Sequence, residues 1–183
     1  PMSLTKGQKV SLKKSDLITI ITTWQADKDY DVMALVKYKD GHVETVCAVN
    51  KEKLSTDDGA VKHLGDIGVG GGPGTELIEV RMNDNIEEII PFAYSARENG
   101  AGSFRQYGVS VAVDNGTDEA VSISAADTSS DSDRYTCAFA RIVNGDTVSI
   151  ENIETYSAGG SEKRPAYVNG VLKMDAGPTN QYK

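Results

Sequence analysis

The sequence predicts an all-β fold, an antiparallel β-sandwich of two stacked sheets with little helix. Short segments rich in β-branched or alternating apolar residues recur along the whole chain, and turn signals separate them. No segment carries the apolar i, i+3, i+4, i+7 stripe that a substantial helix would need. Many short strands with frequent turns are typical of an antiparallel sandwich rather than of a parallel sheet.

About ten strands are predicted. In chain order they cover residues 9–13, 17–24, 31–38, 42–49, 76–82, 86–96, 106–113, 120–125, 135–143 and 148–156. Asn-Gly pairs predict turns, because both central residues of a type I′ turn need positive φ. The pairs Asn115-Gly116, Asn144-Gly145 and Asn169-Gly170 each separate two predicted extended segments. Residues 50–60 are charged and polar and predict a long connection.

The composition indicates one globular domain spanning residues 1–183. Hydrophobic residues make up 39% of the chain and charged residues 25%, as in folded proteins. Pro1, which precedes Met2, is interpreted as a remnant of processing. The net charge of −8, with scattered basic residues, disfavours nucleic acid as a partner. No apolar run approaches the roughly 20 residues of a membrane helix, so we expect no membrane insertion and a cytoplasmic location.

The chain has few residues suited to catalysis. Cys47 and Cys137 fall in apolar strand patterns and are expected to be buried, reduced thiols. His42 and His63 have no neighbouring nucleophile or metal-ligand spacing and are interpreted as surface or strand-edge residues. The sequence therefore predicts a protein that is not an enzyme. A carboxylate pair at glycosidase spacing stays open, because separation in space is not visible in a sequence.

A glycine-rich loop is the first candidate site. Residues 65–74 contain six glycines and one proline, followed by an alternating strand from Thr75. Glycine lets carbonyls or amides turn toward a bound ion, and Asp66 and Glu76 stand at the two ends of the turn, where both could face one cation. The alternative is a surface loop that caps a strand. A phosphate-binding loop is disfavoured, because the segment lacks the Lys-Ser/Thr ending and the following helix.

Three stretches carry a resemblance to a known family. They are S-L-T-K-G-Q-K-V-S-L at residues 3–12, Trp24 followed by Y-D-V-M-A at 30–34, and G-D-I-G-V-G-G-G-P-G-T-E at 65–76. Together they resemble the tellurium-resistance TerD family of bacterial calcium-binding stress-response proteins. The resemblance implies two stacked antiparallel sheets, a non-catalytic role in stress response, including tellurite resistance, a calcium site, and a protein partner.

The ligand set that the resemblance implies is incomplete here. Carboxylates survive at Asp31, Asp66 and Glu76, whereas several other family positions have lost their acidic or amide side chains, namely Met33, Ile67, Gly71, Pro73, Thr75 and Leu77. Loop carbonyls at Ile67, Gly68 and Gly70 would complete the site. Calcium takes about six to eight oxygens, so we expect weak binding, in the range of about 10⁻⁴–10⁻³ M, or its loss.

Two further segments offer candidate ligands. Asp27 and Asp29 alternate with Asp31 and would share a face of an extended strand, although a solvated acidic turn is the alternative. Arg97 and Arg105 flank a glycine-containing crossover and could bind a small anion, although the pattern favours the alternative of a strand-to-strand crossover with Phe104 anchored in the core. The alternative function is therefore a β-sandwich module that has lost calcium and binds a protein or a small anionic ligand.

Overall fold

The computed structural model describes residues 2–25, 28–65, 74–97, 102–117, 120–127 and 133–180. These residues include fourteen strands and the 3-10 turn Val49–Lys51. The predicted all-β sandwich is confirmed. Among the described residues, none forms a helix with the length and apolar character that a membrane crossing requires.

The strands form two six-stranded sheets and a hairpin. In chain order they are β1 Met2–Ser3, β2 Lys9–Leu12, β3 Ile18–Trp24, β4 Asp31–Tyr38, β5 Val43–Cys47, β6 Val61–His63, β7 Gly74–Val80, β8 Ile86–Tyr94, β9 Ser110–Asp114, β10 Ala120–Ser124, β11 Thr136–Asn144, β12 Val148–Tyr156, β13 Ala166–Val168 and β14 Val171–Lys173. The first sheet has the order β1-β10-β9-β3-β7-β6 and the second β2-β12-β11-β8-β4-β5. Neighbouring strands are antiparallel, except that β1 runs parallel to β10.

The main core lies between the two sheets. Buried and more exposed residues alternate along β3, β7 and β12, because successive side chains of a strand point to opposite faces. The strands contribute large apolar side chains to this core, including Ile20, Ile78, Ile89 and Phe139, and Phe104 joins them from a turn. This alternation is the physical basis of the sequence prediction.

The second sheet is buried on its outer face as well. Almost every residue of β4 and β8 is buried, on both faces of the sheet. The sequences of these two strands are therefore largely apolar rather than strictly alternating. Their outward residues, such as Met33 and Phe92, form a second cluster against which Tyr167, Leu172 and Met174 of the C-terminal segment pack. The β13–β14 hairpin therefore acts as a third, partial layer.

The predicted strand bounds differ from the structure where turns or short strands intervene. The strand predicted for 106–113 begins only at Ser110, because residues 104–108 form a turn that buries Phe104. Strand β6 lies within a segment that carried no strand prediction. The hairpin at Asn169-Gly170 is confirmed, with φ of 50° and 77° at the two residues. Asn144 instead pairs with Val148, so the β11–β12 turn has three residues and is not type I′.

The register of the strands defines two ends of the sandwich. At one end, here called the loop end, lie the connections β3–β4, β6–β7, β8–β9 and β10–β11. Trp24 pairs with Gly74 there in the first sheet, and Asp31 pairs with Tyr94 in the second. The turns β4–β5, β7–β8 and β11–β12 lie at the opposite end.

Candidate functional site at the loop end

Glu76 is a buried carboxylate that links the two sheets. It lies in β7 on the face that points into the sandwich and is only 3% exposed. Its Oε1 accepts hydrogen bonds from the backbone N–H of Val32 in β4, at 3.1 Å, and from His63 Nε2, at 3.0 Å. The Val32 amide lies beyond the last pair of the β4–β5 ladder, Met33 with Cys47. The Glu76 side chain therefore pairs an amide that strand β5 does not reach.

His63 lies on the edge strand β6, as one of the two predicted alternatives had it, but it is buried beside Glu76, so its interpretation as a surface residue was wrong. It is 4% exposed, and its Nδ1 accepts a hydrogen bond from the backbone N–H of Gly65 at 2.9 Å. Because Nδ1 is an acceptor, the ring proton lies on Nε2 and is donated to Glu76. His63 pairs with Ile78, which places it diagonally across from Glu76 on one face. The alternation of Val61, Lys62 and His63 was the available signal for this buried face, although no strand was predicted there.

An aromatic group supports the start of β7. Gly74 pairs with Trp24, and a Cβ at Gly74 would overlap the indole ring, so only glycine fits there. Trp24 contacts the ring of Tyr30 at 5.5 Å between centroids, and Tyr30 contacts Phe104 at 5.3 Å. The Tyr30 hydroxyl donates a hydrogen bond to the carbonyl of Gly102 at 2.6 Å. The two flanks of the glycine-rich connection, Gly65 and Gly74, are thus held by His63 and Trp24.

Asp31 faces away from Glu76. It is buried, and it pairs with Tyr94 and shares the outward face of β4 with Met33. Glu76 instead approaches from the interior of the sandwich. The structure therefore places these two predicted calcium ligands on opposite sides of the second sheet. Asp29 was expected to share a strand face with Asp31. It is instead exposed and precedes β4, so it lies outside that strand.

The described residues do not by themselves fit a calcium site. Glu76 Oε1 already accepts two hydrogen bonds, and Asp31 lies on the other face of the sheet. Within the described ranges, no group of three or more His, Cys, Asp or Glu residues is arranged to hold a metal ion. The remaining predicted ligands lie outside the described residues, namely Asp27, Asp66, Ile67, Gly68 and Gly70.

The predicted anion-binding arginines have different surroundings. Arg97 donates from Nη2 to the carbonyl of Gly160 at 2.6 Å, and its guanidinium lies over the ring of Tyr135. Its backbone N–H donates to Glu162 at 2.9 Å. Arg97 therefore contributes to fastening the C-terminal segment. Arg105 is exposed in the turn of residues 104–108.

A second buried carboxylate at the loop end was missed by the sequence analysis. Glu154 of β12 is buried, and its Oε2 accepts hydrogen bonds from the backbone N–H groups of Ala126 and Asp127 and from the Tyr156 hydroxyl, at 2.8–2.9 Å. It links the second sheet to the chain that leaves β10 of the first. Alternation with Ile150 and Asn152 along β12 was the available signal for its burial.

Both cysteines are buried and free, as predicted. Burial raises the pKa of Cys47 to about 11, although the nearby Arg164 opposes the shift. Burial also raises the pKa of Cys137 well above its ordinary value. Both thiols are therefore protonated near neutral pH and are poor nucleophiles.

Comparison with known protein families found no family model that matches the chain, and comparison with curated proteins found no match.

Proposed function

We propose that the chain is a non-catalytic stress-response module of the TerD type, with tellurite resistance among its roles, which binds a protein partner in the cytoplasm through its loop end. In this proposal calcium is a weak ligand of the glycine loop, held by Asp66 and loop carbonyls rather than by a cluster of Asp31 and Glu76. The family assignment rests on the sequence resemblance.

The buried pair of His63 and Glu76 is the observation that carries the proposal. Two buried polar side chains fix one flank of the glycine-rich connection in this pair. Burying polar side chains is unfavourable unless they are hydrogen-bonded to each other or to the backbone. Binding residues are found disproportionately on loops that a rigid scaffold positions, and here the pair fixes one flank of such a loop. The same end of the sandwich carries Glu154, which anchors the β10–β11 connection.

The proposal that the protein is not an enzyme is supported by the state of its reactive groups. The two thiols are protonated and buried. Both ring nitrogens of His63 are engaged, by Gly65 and by Glu76, so this histidine has no nitrogen left to serve a nucleophile.

Calcium titration tests the metal half of the proposal. We expect isothermal calorimetry to detect calcium at a dissociation constant of about 10⁻⁴–10⁻³ M, and the signal to vanish in Asp66→Ala. Asp146→Ala is the matched control, because Asp146 is an exposed carboxylate in the turn at the opposite end. Absence of both heat and thermal stabilisation in the wild type at millimolar calcium would remove calcium from the proposal but leave partner binding open.

A module that has lost calcium is the second candidate, and the geometry of Glu76 favours it. Because Glu76 Oε1 accepts from both Val32 and His63, this carboxylate serves as a structural link whether or not a cation is present. A pull-down with the full chain separates the two candidates. A partner captured only in calcium supports the first, whereas equal capture in calcium and in chelator supports the second.

A further inference from the structure

The two lateral edges of the sandwich differ in how they are covered. One edge is formed by β5 and β6, and there Cys47 forms an antiparallel bridge with Lys53. The backbone N–H of His63 donates to the carbonyl of Leu54 at 2.8 Å, so the β5–β6 connection pairs with both strands. The other edge is formed by β1 and β2, which residues 4–8 connect. Within the described ranges no segment pairs with the outer side of β2, so this edge is open.

Backbone groups of Lys9 and Ser11 point out of the open edge. The backbone N–H of Asn152 in β12 donates to the carbonyl of Gln8 at 3.0 Å, immediately before the paired residues of β2. Hydrogen-bonded and non-hydrogen-bonded pairs alternate in an antiparallel ladder, so Lys9 and Ser11 occupy non-hydrogen-bonded positions opposite β12. Their N–H and C=O groups therefore point away from β12, and among the described residues they have no hydrogen-bond partner. Such a row of unpaired groups can pair with another strand.

The open edge is basic in an acidic protein. The chain carries a net charge of −8, yet residues 1–14 contain no aspartate or glutamate. Their lysines precede, occupy or follow β2, namely Lys6, Lys9, Lys13 and Lys14. In the part of the chain that the structure describes, none of these lysines forms an ion pair. Glu151, which lies opposite Lys9 on β12, is 4.0 Å from Arg141 Nε. The edge therefore offers positive charge to a partner.

An apolar notch lies beside the unpaired backbone groups, between β1 and β2. It encloses about 370 Å³, and Met2, Leu4 and Val10 supply its apolar lining. Met2 is 49% exposed, and Val10 is only partly buried although it packs against the main core. Successive side chains of a strand point to opposite faces, so a strand added beside β2 would direct every second side chain toward this notch.

We propose that the open edge of β2 binds an extended segment of a protein partner in which acidic and apolar residues alternate. The segment adds to the second sheet as a further strand. Its backbone pairs with Lys9 and Ser11, its apolar side chains enter the notch, and its acidic side chains face the lysines. This surface is separate from the connections at the loop end.

The charge of the edge argues against a second copy of the chain as the occupant. Pairing β2 with β2 of another copy would bring lysines close to lysines, and like charges on paired strands are destabilising. Lysines on an edge strand commonly prevent association of identical edges in this way. They do not oppose an acidic strand, because the charges are then complementary.

Fluorescence anisotropy of a labelled, capped peptide tests the proposal with the full chain. The probe alternates glutamate and valine over about six residues, enough to span β2. A second peptide has the same composition, with its glutamates and valines in two blocks, so it keeps the charge and loses the alternation. We expect one alternating peptide to bind per chain. The block peptide should bind at least about tenfold more weakly, because its side chains do not match the two faces of the edge.

Ser11→Pro tests the backbone pairing. It removes an N–H that points to the open edge, and an edge strand tolerates proline at such a position. We expect binding of the alternating peptide to be lost while the circular dichroism spectrum stays that of the wild type. Ser11→Ala, which keeps the N–H, is the matched control and should bind normally. Unchanged binding in a folded Ser11→Pro variant would overturn the proposal.

Lys9→Glu tests the charge and does not depend on the folding of Ser11→Pro. It should weaken binding about fivefold, because an attraction becomes a repulsion. Lys62→Glu, at an exposed lysine of β6 on the covered edge, is the matched control and leaves the affinity unchanged. Equal weakening by both variants, or equal affinity for the two peptides, would overturn the proposal in favour of general charge attraction. A wild-type dimer in analytical ultracentrifugation that Ser11→Pro dissociates would instead assign the edge to a second copy.

Discussion

Glu76 in the first sheet accepts a hydrogen bond from the backbone amide of Val32 in the second sheet. Glu154 makes the reciprocal link, from the second sheet to the amides of Ala126 and Asp127 beyond the end of β10. Each carboxylate thus satisfies amides that no strand pairs, and a buried amide without a partner would be destabilising. At the loop end, beyond the last strand pairs, side-chain carboxylates therefore supply the hydrogen bonds that link the two sheets.

Replacing Glu76 by alanine should strongly destabilise the protein. The change leaves the Val32 amide and His63 Nε2 buried without an acceptor, and two such losses amount to about 3 kcal/mol. Glu76→Gln keeps an oxygen at the same place and should have a smaller effect. Urea unfolding followed by circular dichroism measures both. An alanine variant within about 0.5 kcal/mol of the wild type would show that water replaces the lost acceptor.

Gly74→Ala should disturb the contact with Trp24. A Cβ at Gly74 overlaps the indole ring, and forcing extra volume into a packed site costs about 1–3 kcal/mol. Trp24 is the single tryptophan, so its fluorescence reports the change directly. Gly145→Ala is the control, because a Cβ there meets its nearest neighbour only at 3.4 Å. An unchanged emission spectrum and unfolding midpoint for Gly74→Ala would contradict the packing described for Trp24.

Arg164→Ala should loosen the C-terminal segment. Arg164 is buried, forms a two-point ion pair with Glu52 at 2.8–3.0 Å, donates to Asn180, and lies 3.7 Å from Cys47 Sγ. Without it we expect Cys47 to react faster with maleimide at pH 8. Cys137 serves as an internal control, since it lies in β11, away from this ion pair.

Arg81→Ala, at an exposed arginine, is the matched control variant and should not change the labelling of either cysteine. Equal labelling rates of Cys47 in the wild type and in Arg164→Ala would show that the hairpin alone covers this thiol.

The pair of Glu52 and Arg164 should make stability depend on pH in acid. The hydrogen bond from Arg164 lowers the pKa of Glu52, so its contribution is present above the unfolded pKa and is lost as pH falls through the folded value. Because Glu52 is half exposed, the contribution at neutral pH is at most about 1 kcal/mol. The stability difference between wild type and Glu52→Gln should therefore shrink between pH 6 and pH 3.

The same Glu52→Gln exchange in an Arg164→Ala background supplies the control for this prediction. There the stability difference caused by the exchange should show little pH dependence, since the arginine that lowers the pKa of Glu52 is absent. A pH-dependent difference that persists unchanged in that background would assign the effect to another partner of Glu52.

The local pattern of the chain determined its strands and their buried faces. Strands β4 and β12 have the bounds that alternation and β-branching predicted, and the Asn169-Gly170 turn follows from the need for positive φ. The burial of both cysteines follows from the same period of two. Each of these features depends on residues that are close in sequence.

Only the tertiary structure decided which faces meet. Asp31 and Glu76 both looked like ligands of one ion, yet the register directs Asp31 outward with Tyr94 and Glu76 inward with His63. The sequence alone determined a helix-poor sandwich with a glycine-rich connection. The partners of Glu76 and the cover of the second sheet depend on contacts between distant segments. A pattern with a period of two specifies which face of a strand is buried but not which strands lie beside it.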